Sequence, residues 1–167
     1  MRGSFGVGLG PAMVGIALGM WTPQCAAGQL DITECFSGTA NRFYDSNEIR
    51  PLVRWAQDGI IISNSSDKKL DSAVVHCEGV RRGLGPEATG YGLCKIIDTD
   101  GDAITAEVPI SGVKFEVKFL EGTGKWKGVS GALRNPEQLV GSKPGKGAMP
   151  GTYQGCHREK GSFELSQ

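Results

Sequence analysis

A chain of 167 residues is long enough for one domain with its own core and too short to expect two. Twenty-six glycines scattered among short apolar runs point to many turns rather than long helices, which favours an all-β chain. Acidic and basic side chains balance at 18 each, with no basic block, so a nucleic-acid surface is not indicated.

Arg2 is followed by an uncharged stretch from Gly3 to Gln24, densest in apolar residues between Pro11 and Trp21, and the first acidic residue is Asp31. A basic start, an apolar segment and small residues at Cys25 and Ala27 predict a signal peptide over residues 1–27, cleaved before Gly28. A retained membrane anchor fits less well, because a spanning helix needs roughly 20 apolar residues and this run is broken by glycines and Pro11. A lipoprotein signal would place a small residue before Cys25, where Gln24 stands. The expected product is a single domain, residues 28–167, in the periplasm or outside the cell, with no stable membrane span.

The first strand is predicted over Glu34 to Phe43 and the second over Val53 to Ser63. Asn64-Ser65-Ser66 matches a glycosylation acceptor and reads as an exposed turn. Val74 to Val80 and Tyr91 to Ile97 are the next two apolar segments, joined by a turn region with Gly83, Gly85 and Pro86. Asp98 to Asp102 reads Asp-Thr-Asp-Gly-Asp, and its Asp100-Gly101 pair predicts a two-residue hairpin turn. A calcium loop of the EF-hand kind needs glycine at its sixth place and glutamate at its twelfth; here glycine stands fourth and Pro109 twelfth.

Ile104, Ala106, Val108 and Ile110 alternate with other residues, and so do Val113, Phe115, Val117 and Phe119. A turn at Ser111-Gly112 would set Ile110 against Val113 and Val108 against Phe115. That register also sets Glu107 against Glu116, and Pro109 lacks the amide a ladder needs, so a bulge is expected there. Further strands are predicted over Lys125 to Leu133 and Thr152 to Leu165, the latter divisible in two around Glu159 to Gly161. Asn135 to Pro150, rich in Gly, Lys and Pro, reads as a surface loop. About eight short strands separated by turn residues predict a small, closed antiparallel β-barrel with few or no helices after the signal peptide.

Loss of Cys25 with the signal leaves Cys35, Cys77, Cys94 and Cys156, which in an oxidising compartment predict two disulfides. Cys77 and Cys94 lie equally far from the midpoint of their hairpin. Cys35 belongs to the first strand and Cys156 to the last, which are neighbours only if the sheet closes on itself. The favoured pairing is therefore Cys77 with Cys94 and Cys35 with Cys156. His76 adjoins Cys77 and His157 adjoins Cys156, but neighbours on a strand point to opposite faces, and the spacing lacks the short ligand pairs of zinc sites. No metal and no cofactor is indicated.

Gly122 to Gly128 has neither the spacing of a phosphate-binding P-loop nor a following helix, and at Gly141 to Gly147 the Gly145-Lys146 pair is followed by glycine. Ser130, in G-V-S-G-A, is not a nucleophile elbow. Several phrases nevertheless stand together: W-A-Q-D-G-I at Trp55 to Ile60, V-H-C at Val75 to Cys77, G-Y-G-L-C-K at Gly90 to Lys95, F-L-E-G-T-G-K-W-K-G at Phe119 to Gly128 and G-T-Y-Q-G-C at Gly151 to Cys156. They resemble uncharacterised exported proteobacterial proteins. The G-T-G-K-W-K-G-V-S-G element resembles the strand-turn-strand signature of the allene-oxide-cyclase-like and dirigent-like barrels. This resemblance spans most of the mature chain and implies an eight-stranded barrel with a small internal cavity, in a superfamily where homo-oligomers, often trimers, occur. None of that superfamily's catalytic residues maps onto a position here, and activity does not transfer with a fold.

If Cys77 faces Cys94, His76 faces Lys95; with Asp100-Gly101 as the turn, Lys95 also faces Ala106, on the side of Ile97, Ile104 and Val108. That side is the predicted interior. Glu78 and Tyr91 join it by alternation. His76, Glu78, Tyr91 and Lys95 among aliphatic side chains would form a ligand cavity with a few convergent polar groups, whereas a one-residue bulge would turn all four to solvent. The expected function is a non-enzymatic exported barrel that binds a small, largely apolar molecule or acts as an envelope interaction module. The alternatives are an isomerase- or cyclase-type enzyme in which His76 or Glu78 moves a proton, and a structural protein with a filled core.

Overall fold

The computed structural model describes residues 26–44, 51–83, 85–112, 114–141 and 151–166. The predicted signal segment up to Cys25 and the loop residues 142–150 lie outside them. Eight antiparallel strands follow one another: β1 (Ala26–Tyr44), β2 (Leu52–Ser63), β3 (Val74–Arg82), β4 (Thr89–Ile97), β5 (Ala103–Ser111), β6 (Lys114–Gly122), β7 (Val129–Gly141) and β8 (Thr152–Leu165). Each pairs with the next, and β8 returns to β1, which closes the barrel. Among the described residues the only helical pieces are single 3₁₀ turns at Gly85–Glu87 and Gly124–Trp126.

Closure occurs where the cysteines place it. Cys35 pairs with Cys156 in the β1–β8 ladder and a disulfide joins them. Cys77 pairs with Cys94 between β3 and β4, and a second disulfide joins those. The two bonds take opposite faces of the sheet. Cys77 and Cys94 are buried among the core residues. Cys35 lies one residue along from the buried Glu34 and so points outward. β1 starts earlier than the sequence pattern indicates: Ala26 and Ala27, ahead of the predicted cleavage point, pair with Leu165 and Glu164.

The β5–β6 pairing is shifted by two residues from the expected register, with Ser111 opposite Lys114, Ile110 opposite Phe115 and Ala106 opposite Phe119. A shift of two preserves the faces, so Ile104, Ala106, Val108, Val117 and Phe119 are all buried. It also replaces the unfavourable Glu107–Glu116 pairing with Glu107 opposite Lys118, whose Nζ lies 3.9 Å from both glutamates. Pro109 sits between the Glu107–Lys118 and Ile110–Phe115 pairs, and the ladder's irregularity falls at Thr105/Ala106.

The β4–β5 loop differs by one residue, and that difference matters more. Ile97 pairs with Ala103 and Lys95 with Thr105, so the loop spans all of Asp98 to Asp102 rather than turning on Asp100-Gly101. Asp98 causes this. Its backbone amide donates to the Asp102 carbonyl at 2.9 Å. Its Oδ1 accepts from the amides of Asp100 at 2.8 Å and Asp102 at 3.1 Å. The side chain thus closes a wider loop than the Asp-Gly signal predicts.

Two further expectations are corrected. Residues 135–141, predicted as loop, continue β7 and pair with β8, with register shifts at Arg134/Glu137 and Gln138/Val140. Pro136 falls inside the first shift, where a missing amide is tolerated. β8 itself runs unbroken from Thr152 to Leu165.

The barrel interior divides into two halves. Leu70, Ile104, Phe119, Trp126, Val129 and Phe163 fill the half beside the β2–β3, β4–β5 and β6–β7 connections. Trp126 meets Phe163 edge-on, with ring centroids 5.3 Å apart. The other half is not filled.

Candidate functional site

A cavity of about 470 Å³ occupies that second half, within the size range of small-molecule sites. Its apolar wall includes Trp55, Ile61, Val75, Ile96, Val108 and Ile110, and its polar groups include Glu34, Gln57, Arg81, Tyr153, His157 and Glu159. The indole of Trp55 lies against β3 and β4 where both strands carry glycine. A Cβ on Gly92 would come within 2.4 Å of Trp55 Cζ2, and one on Gly79 within 2.8 Å of Cε2. The two glycines face each other in the ladder and make the recess.

At the wall nearest the filled half, three ionisable side chains meet. Alternation along β1 sends Leu30, Ile32 and Glu34 inward, and all three are buried. Glu34 pairs with His157 across the β1–β8 seam, and Glu159 lies two residues further on the same face of β8. Exposure falls to 6% for Glu34, 5% for His157 and 1% for Glu159. His157 Nε2 is 3.4 Å from Glu34 Oε2 and 3.3 Å from Glu159 Oε1. Glu159 Oε2 is buried and accepts no hydrogen bond from the described residues.

Glu34 is held from behind. Gln57 Nε2 donates to its Oε1 at 3.1 Å, while Gln57 Oε1 accepts from the Tyr153 hydroxyl at 3.3 Å. This orientation of the amide serves both partners, so the network is self-consistent. Phe36 packs against the Tyr153 and His157 rings at 6.0 and 5.1 Å.

Burial pushes the Glu159 carboxyl up to about 7; His157 pulls it down and Glu34 adds to the rise. Burial alone would lower the His157 imidazolium, but Glu34 and Glu159 outweigh it and the net shift is upward. Burial also pushes the Tyr153 phenol up to about 12, which keeps it a neutral donor. Two carboxylates and an imidazole in so little water are a high-energy arrangement unless a proton or a cation is shared among them.

No protein-family model matches the chain, and no curated protein or solved structure matches it either. The site must therefore be read from its own chemistry.

The residues singled out from the sequence are elsewhere. His76 does face Lys95 in the ladder. Yet His76, Glu78, Tyr91 and Lys95 all lie on the outer surface of the barrel. There His76 Nδ1 is 2.8 Å from Asp58, Glu78 is 3.4 Å from Arg54, and the Tyr91 hydroxyl donates to Glu107 at 3.2 Å. The cause is the extra residue in the β4–β5 loop, since a slip of one exchanges the faces of a strand.

The cluster that does form was within reach of the same reasoning. Cys35 opposite Cys156 implies Glu34 opposite His157, and the apolar Leu30, Ile32 and Phe36 mark the inward face of β1. The Asp98–Asp102 carboxylates are engaged by Lys125. Lys125 Nζ pairs with Asp98 at 3.1 Å and Asp100 at 2.5 Å, and its backbone amide donates to Asp102 at 3.0 Å.

Proposed function

We propose that this protein is an exported carrier or sensor of a small amphiphilic molecule. Its apolar part would rest in the barrel against Trp55, Val108 and Ile110, and its polar end would meet Glu34, His157 and Glu159. One observation carries this reading: half of the barrel is a cavity with apolar walls and a few convergent, buried polar groups, the usual composition of a ligand site. A group that donates hydrogen bonds or carries positive charge suits the two glutamates better than an anion does.

Two disulfides suit an oxidising compartment, and among the described residues no helix is long and apolar enough to cross a membrane. Both are consistent with export to the periplasm or beyond. The cleaved signal over residues 1–27 belongs to the same proposal. So does the likeness to allene-oxide-cyclase-like barrels.

Native mass spectrometry of protein purified from its own compartment tests the reading. The expected result is one copurifying small molecule per chain, lost in a Val108→Phe variant that fills the cavity while the thermal midpoint is kept. Wild-type protein that carries nothing, and whose melting is unmoved by apolar amines, would refute it.

One observation favours a second reading, an isomerase- or cyclase-type enzyme. Glu159 lines the cavity beside the His157 imidazole, and its carboxylate, whose Oε2 has no hydrogen-bond partner among the described residues, can take up a proton from a bound substrate. The proton-moving role given to His76 or Glu78 on sequence grounds passes to this pair. Turnover of the copurified molecule by wild type but not by Glu159→Gln would separate enzyme from carrier.

A further inference from the structure

We infer that Glu34, His157 and Glu159 form a binding site for a divalent first-row transition-metal ion inside the barrel. The three side chains offer two carboxylate oxygens and one imidazole nitrogen, all within 4.8 Å of one another. The His157 Nε2 to carboxylate distances of 3.4 and 3.3 Å are longer than a good hydrogen bond. They match the edge of a coordination polyhedron, because ligands about 2.1 Å from one ion at tetrahedral to octahedral angles stand about 3.0–3.4 Å apart.

A second, independent observation points to a missing partner. Glu159 is only 1% exposed, and its Oε2 has no hydrogen-bond donor among the described residues. A buried carboxylate oxygen left in this way is unfavourable unless a proton or a cation meets it. The support behind the ligands is also of the kind metal sites use. Gln57 fixes Glu34 through Oε1 and so leaves Oε2 for the ion, while the Tyr153 hydroxyl fixes Gln57.

The donor set selects among ions. Mixed oxygen and nitrogen ligands with no sulfur suit Zn²⁺, Mn²⁺ or Fe²⁺ better than Cu⁺, and one imidazole is an unusual ligand for Ca²⁺ or Mg²⁺. Three protein ligands leave coordination positions open, and all three residues line the cavity. Water or the polar end of a ligand can fill those positions. The inference stands without the organic ligand proposed above, since an ion can occupy the cluster in an otherwise water-filled barrel.

The test uses the full mature chain, stripped with chelator and titrated separately with Zn²⁺, Mn²⁺ and Co²⁺. Elemental analysis is expected to return one ion per chain after desalting, and Co²⁺ is expected to give the visible absorption of a low-coordinate site. Glu159→Gln and His157→Gln should each weaken binding by tenfold or more. Gln57→Leu, which keeps all three ligands and removes the Gln57 contacts to Glu34 and Tyr153, should weaken it about 10- to 100-fold. His76→Ala removes the exposed His76–Asp58 pair and should change nothing. Circular dichroism of each variant shows whether the barrel is intact, and Gln57→Leu, which keeps all three ligands, remains informative if a ligand variant unfolds. Absence of stoichiometric binding by all three ions overturns the inference, and so does binding that survives Glu159→Gln and disappears in His76→Ala.

Discussion

Asp98 supports more of the molecule than any other single polar side chain described. It is almost fully buried, and its Oδ2 accepts from Trp126 Nε1 at 2.6 Å while Oδ1 closes its own loop. Burial pushes its carboxyl up, but donation from Trp126, Lys125 and the amides of Asp100 and Asp102 outweighs this and holds it below the usual range. Asp98→Asn should destabilise the protein by about 2–4 kcal/mol, because an amide nitrogen must then face a donor. Urea unfolding would measure it. The sign with pH follows from the lowered value: the stabilisation is complete above the ordinary carboxylate range and is lost as pH falls through the folded value. Unfolding free energies below pH 4 should therefore fall less steeply in Asp98→Asn than in wild type. The recess for Trp55 makes a second test at this scale. Gly92→Ala places a methyl group 2.4 Å from the indole, so the ring must move. A loss of about 1–3 kcal/mol is expected, with a shift in tryptophan emission.

At the scale of strands, the seam between β1 and β8 is held by a covalent bond and an ion pair. Cys35–Cys156 closes 121 residues of sequence and Cys77–Cys94 only 17. The chain-entropy argument assigns them about 4–5 and about 3 kcal/mol respectively. The Cys35→Ser/Cys156→Ser double variant should accordingly lose more stability than Cys77→Ser/Cys94→Ser in matched denaturant titrations. Arg158 grips Asp31 across the seam, donating from Nε and Nη2 to the two carboxylate oxygens at 2.7 and 2.6 Å. The guanidinium holds the Asp31 carboxyl down to about 2. This support is present above the unfolded carboxylate value and fades as pH falls toward 2. Asp31→Asn should thus narrow the difference between thermal midpoints at pH 5 and pH 2.5.

Most of this level is legible in the chain. Alternation in β5 and β6, glycine-rich connections and the even cysteine set lead to eight strands, a closed tube and both disulfides. What escapes is anything decided by one residue. Asp98 adds a residue to the β4–β5 loop through side-chain hydrogen bonds that no periodicity reveals, and His76, Glu78, Tyr91 and Lys95 turn outward as a result. Glu34 and His157 escape for a different reason. Each is a polar residue on an apolar face, which alternation alone does not mark, although the Cys35–Cys156 pairing already sets them opposite each other.

For the molecule as a whole, the interior divides into a packed half and an open one. Trp126 and Phe163 are almost completely enclosed in the filled half, where surrounding strands cannot collapse onto a deletion. Phe163→Ala should cost about 3–5 kcal/mol, the range for an aromatic removed from a packed core. Ile110 is only partly buried and lines space that is already open. Ile110→Ala should cost about 1–2 kcal/mol, close to the transfer contribution alone, because it enlarges a cavity rather than creating one. The readouts should also part in the opposite sense. Phe163→Ala, while folded, should retain whatever molecule and ion the wild type carries, and Ile110→Ala should lose part of the proposed organic ligand with little change in urea midpoint. Loss of both properties together in either variant would mean that the two halves act as one core. Their separation follows from the physics: a tightly packed end supplies the free energy that lets the other end keep buried carboxylates and empty space.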